Sequence, residues 1–117
     1  MIGAVSSAHS GLIAFSTKID VTAHNIANVS TNWFKTSQTE FAAVESGGVR
    51  ATIRTSETAG PSILSDRGYS PTQLELSNTD LVEETVNLIS AQRGFEANLQ
   101  ALRAADDMLG NILNIKK

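Results

Sequence analysis

At 117 residues, with 41% hydrophobic but only 5% aromatic side chains, the chain can build one domain with a thin core of Leu, Ile, Val and Ala, and not two. A net charge of −3 without any basic run excludes the usual nucleic-acid binders, and the lack of cysteine excludes a disulfide framework and thiolate metal sites. No apolar run approaches the roughly 20 residues that a membrane span needs, so membrane insertion is not expected. The start, "MIGAVSSAHSGLIAF", has neither the early Lys or Arg nor the unbroken apolar stretch of a Sec signal.

The pattern predicts a single domain over 1–117 in three parts: an N-terminal helix (1–28), a loop and small β-rich insert (29–79), and a long C-terminal helix (80–115). In the first part Val5, Leu12, Ile19 and Ile26 recur at heptad spacing, with Ala8, Phe15 and Thr22 as a second row. Gly3 and Gly11 each weaken this helix by roughly 1 kcal/mol relative to Ala, so it is marginal alone.

The middle part has a different character. In "GGVRATIRT" Val49, Ala51 and Ile53 alternate with Arg50, Thr52 and Arg54, the pattern of a half-buried strand. "TEFAAVE" is either its hairpin partner or the end of a short helix. "SETAGPSILSDRGYSPTQ" holds both prolines and reads as loop, and "LELS" as one further short strand.

The third part is the more strongly helical. Leu81, Leu88, Phe95, Leu102 and Leu109 are evenly spaced by seven, and Leu99 and Leu113 extend the seam. Ser77 or Asn78 can cap the start, Asp80, Glu83 and Glu84 place negative charge in the first turns, and Lys116 and Lys117 stand at the far end. The fold class is therefore mainly α with a small β insert: two terminal heptad helices form an antiparallel pair. The insert is expected to project from the end where Asn28 meets Asp80, with Trp33 and Phe34 covering the seam there.

No chemistry is indicated, and no cofactor or metal is expected. His9 and His24 lie about 22 Å apart along one helix and cannot share an ion. The acid pairs Glu83/Glu84 and Asp106/Asp107 have no neighbouring His or Lys, and are read as solvated faces. Ser6-Ser7 lacks an activating base, and no phosphate-binding glycine loop follows a strand. Asn25 and Asn28 read as a helix C-cap or as a contact between subunits. Gln92 either fixes register on the seam or reaches solvent, and Arg93 can pair with Glu96.

Two motifs carry a resemblance to the rod and hook proteins of the bacterial flagellar basal body, closest to proximal-rod-type, FlgC-like members. The first is an Asn-x-Ala-Asn-x-x-Thr-x-Gly-aromatic-basic run, matched by Asn25, Ala27, Asn28, Thr31, Phe34 and Lys35. The second is a Ser-Asn-Val-Asp-Leu signature and the Gln-Arg-x-aromatic-x-Ala-Asn run after it. Ser77, Asn78, Asp80, Leu81, Glu83, Glu84, Gln92, Arg93, Phe95, Ala97 and Asn98 match it. Trp33 replaces the usual Gly and Thr79 the usual Val. Because that Gly implies positive φ, a conformation costing a bulky residue about 1–2 kcal/mol, the turn is expected to change shape or to put Asn32 in the left-handed region.

The resemblance implies a structural subunit of the rod that polymerises through its terminal helices to transmit torque. It implies copies of itself and other flagellar rod and hook proteins as partners. It also implies export through the flagellar type III apparatus without a Sec signal, and a place in the periplasm-spanning rod. The short insert favours a rod-like over a hook-like subunit. The rival readings are another secreted helical hairpin, such as a needle-type or adaptor subunit, and a ligand-binding module in which Trp33, Phe34 and Tyr69 line a pocket.

Overall fold

The computed structural model describes residues 2–65 and 72–115. The chain runs α1 (Ile2–Ala27), β1 (Ser37–Ala43), β2 (Val49–Thr55), β3 (Ser62–Ser65), β4 (Thr72–Glu75) and α2 (Leu81–Ile115). "TEFAAVE" is thus strand. The stretch expected to be all loop contributes β3 and the start of β4. Tyr69, Lys116 and Lys117, to which the sequence pattern gives roles, lie outside the described residues. Helix α2 passes through Gly94 without a break. The molecule is long and thin, 85 × 25 × 16 Å.

The helices pack antiparallel. Gly11 faces Asn98, Phe15 faces Gly94, and Asn25 bonds Glu84, so each step along α1 is matched by an equal step back along α2. The contact is made of small and polar side chains. Ala8, Ala14, Thr22 and Asn25 are buried on α1; Glu84, Ala91 and Ala105 are buried on α2. The α2 set, with half-buried Asn98, recurs every seven residues and is the true centre of the seam. The large aliphatic rows flank it. Val5, Leu12, Ile19, Ile26, Leu88, Phe95, Leu99, Leu102 and Leu109 are half-buried, whereas Leu81, Leu113 and Gln92 stand exposed. The expected seam is therefore displaced by one row. The separation of two helices depends on the side chains between them, and small ones bring the backbones close.

Two glycines make that approach possible. A Cβ on Gly11 would overlap the Asn98 amide, and one on Gly94 would overlap the Phe15 ring. Phe15 cannot retreat freely, because its other side meets Phe41 of β1 edge to face, with ring centroids 5.1 Å apart. Phe15 of α1 thus touches both α2 and the sheet.

The β1–β2 hairpin does not project as expected. It folds back along α1, pairing Ser37 with Thr55 at its root and Ala43 with Val49 near its tip. Gly47 and Gly48, both at positive φ, turn the chain there. The turn lies against Ser7 and Ser10, and the Val49 amide donates to Ser10 Oγ at 3.1 Å. Phe41 and the exposed Ile53 share the hairpin face that includes the Phe15 contact. Among the described residues the β3–β4 hairpin packs on neither helix.

The two kinds of glycine separate in a substitution test. At Gly3 an added methyl would meet nothing, so Ala should stabilise by up to about 1 kcal/mol through helix propensity. At Gly94 the same gain is outweighed by overpacking against Phe15, a cost of about 1–3 kcal/mol. Urea unfolding should therefore give Gly94→Ala a lower midpoint than the parent chain and Gly3→Ala an equal or higher one.

Candidate functional site

The helices, β1 and the chain between the two hairpins meet at one end of the molecule, and the motif residues gather there. Asn25, in the last turns of α1, is 0% exposed. Its Oδ1 accepts the Ser37 amide at 3.0 Å, and its Nδ2 donates to the Ser37 carbonyl at 2.7 Å, so the side chain imitates a paired strand residue. The same Nδ2 donates to Glu84 Oε1 at 2.8 Å. One amide thus joins α1 to the first residue of β1 and to the first turns of α2.

Glu84 is not the solvated acid expected from its sequence neighbourhood; it is 7% exposed. Burial pushes its carboxyl above the usual carboxylate range, opposed by the hydrogen bonds from Asn25 and Thr22 and by the Lys18 charge. Glu83 stays at the surface.

Asn28 plays a different part from Asn25. Its Nδ2 donates to the His24 carbonyl at 2.9 Å and its Oδ1 accepts from Thr31 Oγ1 at 3.1 Å, which closes the end of α1. The exposed Ala27 is the last helical residue. The His24 ring rests edge-on against Phe34, 5.4 Å between centroids. Trp33 itself takes the left-handed conformation, φ 63°, so neither expected alternative holds. Its amide donates to the Glu75 carbonyl at 3.0 Å and fixes the turn, while the side chain remains 57% exposed.

Beyond the turn, residues 33–36 run beside residues 75–78. The Asn78 amide donates to the Phe34 carbonyl at 3.4 Å, and Asn78 Oδ1 accepts from the Thr36 amide at 2.8 Å. Asn78 Nδ2 donates to the Thr58 carbonyl at 2.9 Å. Lys35 forms a salt bridge with Glu75 and also donates to the Thr58 carbonyl at 3.0 Å. Glu75 accepts from the Gly60 amide at 2.7 Å as well. The Lys35 hydrogen bond, then the Gly60 amide, hold the Glu75 carboxyl below the usual carboxylate range.

Capping of α2 falls to Asp80, not to Ser77 or Asn78. Its Oδ1 accepts from the Val82 amide at 2.8 Å and the Glu83 amide at 3.3 Å. Ser77 Oγ, mostly buried, accepts from the Thr79 amide at 3.1 Å in the turn before it. The later motif residues lie away from the junction. Arg93 pairs with Glu96 at 3.1 Å on the surface, Ala97 is exposed, and Asn98 donates to the Gly94 carbonyl at 2.8 Å beside Gly11.

The junction residues up to Lys35 and from Glu75 onward fall within matches to known families. Residues 6–35 match the family described as flagella basal body rod protein, and residues 71–115 match the C-terminal family of flagellar basal body rod FlgEFG proteins. The chain belongs to the flagellar rod and hook family. It is 46% identical over 48 residues to the flagellar hook protein FlgE of Helicobacter pylori, covering 41% of this chain and 7% of that protein. It is 41% identical over 44 residues to the flagellar basal-body rod protein FlgG of Bacillus subtilis, covering 38% and 17%. With FlgE of Escherichia coli it shares 42% over 43 residues, covering 37% and 11%. The matches span less than a fifth of each relative's length. The matched families and relatives are structural rod and hook proteins, not enzymes.

The sequence pointed to Asn25 and Glu84 separately, but their meeting was not readable from it. Ser37 carried no signal, because it contributes only its backbone. The two asparagines at the end of α1 should respond differently to removal. Asn25→Ala leaves the half-buried amide and carbonyl of Ser37 and the buried carboxyl of Glu84 without this partner, at about 1–3 kcal/mol for each group, so a total loss near 4 kcal/mol is expected. Asn28→Ala removes only an exposed cap and should cost about 1 kcal/mol. Trp33→Gly should raise the midpoint by up to about 1 kcal/mol, since glycine accepts φ 63° without strain. Chemical unfolding of the three variants checks all three values.

Proposed function

We propose that this chain is a structural subunit of the flagellar basal-body rod, of the proximal-rod type, which polymerises through its terminal helices to transmit torque. The observation that carries this reading is the distribution of apolar side chains on α2. Val82, Val86 and Ile89 are 74%, 62% and 53% exposed and lie about half a turn from the face that meets α1. Met108, Ile112, Leu113 and Ile115 are also exposed, near the end of the helix. A lone hairpin would leave these surfaces in water. Copies packed side by side and end to end would bury them.

The physical task agrees with such a shape. Resistance to twisting comes from many parallel contacts distributed along long stiff elements, and a repeated heterologous contact that does not close produces a helical tube. Copies of this chain and other axial rod and hook proteins are the partners on this reading. The seam rows and the exposed stripe are the surfaces they would use. Export through the flagellar type III apparatus and residence in the periplasm-spanning rod follow from the same reading. Only residues 28–80 separate the two helices, which supports a rod subunit over a hook subunit. Among the described residues no helix is long and apolar enough to cross a membrane.

Val86→Asp tests the assignment without disturbing the hairpin. The site is exposed, so unfolding of the free chain should shift by no more than about 0.5 kcal/mol. Cells carrying it should lose motility, and electron microscopy should show basal bodies without a completed rod. Leu102→Asp, on the half-buried seam, should lower stability as well as block assembly. Complete rods and normal motility in Val86→Asp cells would remove the exposed face from the interface. Complete rods in cells lacking the whole gene would remove the rod assignment itself.

A further inference from the structure

We propose that Glu84 is a proton-operated latch, which fastens the root of the β1–β2 hairpin and the start of α2 to α1 more tightly when its carboxyl is protonated than when it is ionised. The carboxyl lies where α1, β1 and α2 converge, and Asn25, which donates to it at 2.8 Å, also holds both backbone groups of Ser37. Any change in how well Glu84 is accommodated therefore reaches the hairpin root through a single amide.

The surroundings decide the sign. Glu84 lines a small polar cleft with Lys18 and Thr22 of α1, Ser37, Gln38 and Thr39 of β1, and Glu83 and Asn87 of α2. Lys18 is the cation there and favours the ionised form; Glu83 has the same sign as Glu84 and opposes it. The β1 residues that line the cleft are not ionisable, and the nearest acid along that strand, Glu40, pairs with Arg54 at 3.6 Å. The hydrogen bonds from Asn25 and Thr22 also favour the ionised form, and against them stands burial, which is the largest influence and favours the neutral acid. The Asn25 Nδ2 bond survives protonation, because a neutral carboxyl still accepts at its carbonyl oxygen. Protonation also creates a donor in a cleft lined by Thr39, whose buried Oγ1 has no hydrogen-bond partner among the described residues.

A carboxyl whose value in the folded chain is raised contributes stability that is complete below its unfolded value, about 4.3. That stability is lost as pH rises through the folded value. The latch is thus tight in acid and loosens toward neutrality. The Lys35–Glu75 pair works the other way, since Glu75 is held low and its contribution is lost on acidification. A global melting curve would mix the two, so the test must be resolved by residue.

Hydrogen exchange of the dilute free chain, corrected for intrinsic rates and followed from about pH 4 to about pH 7.5, provides that resolution. Protection at Ser37 and at residues 84–88 should fall several-fold across the range. The variant Glu84→Gln keeps the acceptor and removes the charge; its protection there should be flat with pH and exceed that of the parent chain at neutrality. Parallel pH profiles for parent and variant, or protection in the parent that rises with pH, would overturn the proposal. Should Glu84→Gln fold poorly, a carbon-13 titration of the Glu84 carboxyl in the parent decides. A midpoint above the ordinary glutamate value supports the latch, and one at or below it overturns the latch. These readouts use the free chain, so they stand apart from any result on rod assembly.

Discussion

The side-chain amide of Asn25 decides how the ends of this chain meet its middle. It is fully buried and spends both of its polar atoms on other elements: the backbone of Ser37 at the start of β1 and the carboxyl of Glu84 near the start of α2. No backbone hydrogen bond could serve here. The helix ends two residues later, and among the described residues β1 has its one strand partner on its other side, in β2. The half-buried amide and carbonyl of Ser37 would otherwise carry an unsatisfied cost of up to about 1–3 kcal/mol each. The hairpin's course back along α1 begins from this anchor, and the Phe15–Phe41 contact and the Ser10 bond continue it toward the tip.

The second constraint is closeness. Alanines, glycines and short polar groups line the centre of the helix pair, and glycine at positions 11 and 94 lets Asn98 and Phe15 fill the space. Close approach uses up little apolar surface. The large aliphatic residues are left at the margins, half-buried on the seam rows and exposed at Val82, Val86 and Leu113. Stability of the isolated hairpin and readiness to assemble are thus set by one choice of side chains. A core of leucines would have made a sturdier monomer with less surface to offer neighbours.

Much of the architecture is readable from residue patterns, and the failures have physical causes. The helices are legible because heptad spacing persists over many turns, and α2 is clear even across Gly94. The pattern puts the seam one row away because periodicity weights large apolar residues, while the close contact selects Ala91, Asn98 and Ala105, which carry no such weight. The fold-back of β1–β2 is not legible, since its anchors are a side chain on α1 and a serine backbone. Trp33 at φ 63° is unreadable for another reason: the local preference argues against it, and the Glu75 carbonyl overrides that preference from a distant part of the chain. The capping role falls to Asp80, a few residues beyond the expected Ser77 or Asn78, because several capping side chains stand in a row there and helix ends shift by a residue or two among them.

Asn25 ties three elements into one cooperative unit, and its own amide protons report on this most directly. In nuclear magnetic resonance of the free chain, the Asn25 side-chain protons and the Ser37 amide should exchange with solvent slowly. All should exchange at one common rate, the rate of opening of the whole junction. Rapid exchange of the Asn25 side chain beside a protected Ser37 amide, or the reverse, would mean that the two are not joined, and would contradict the account.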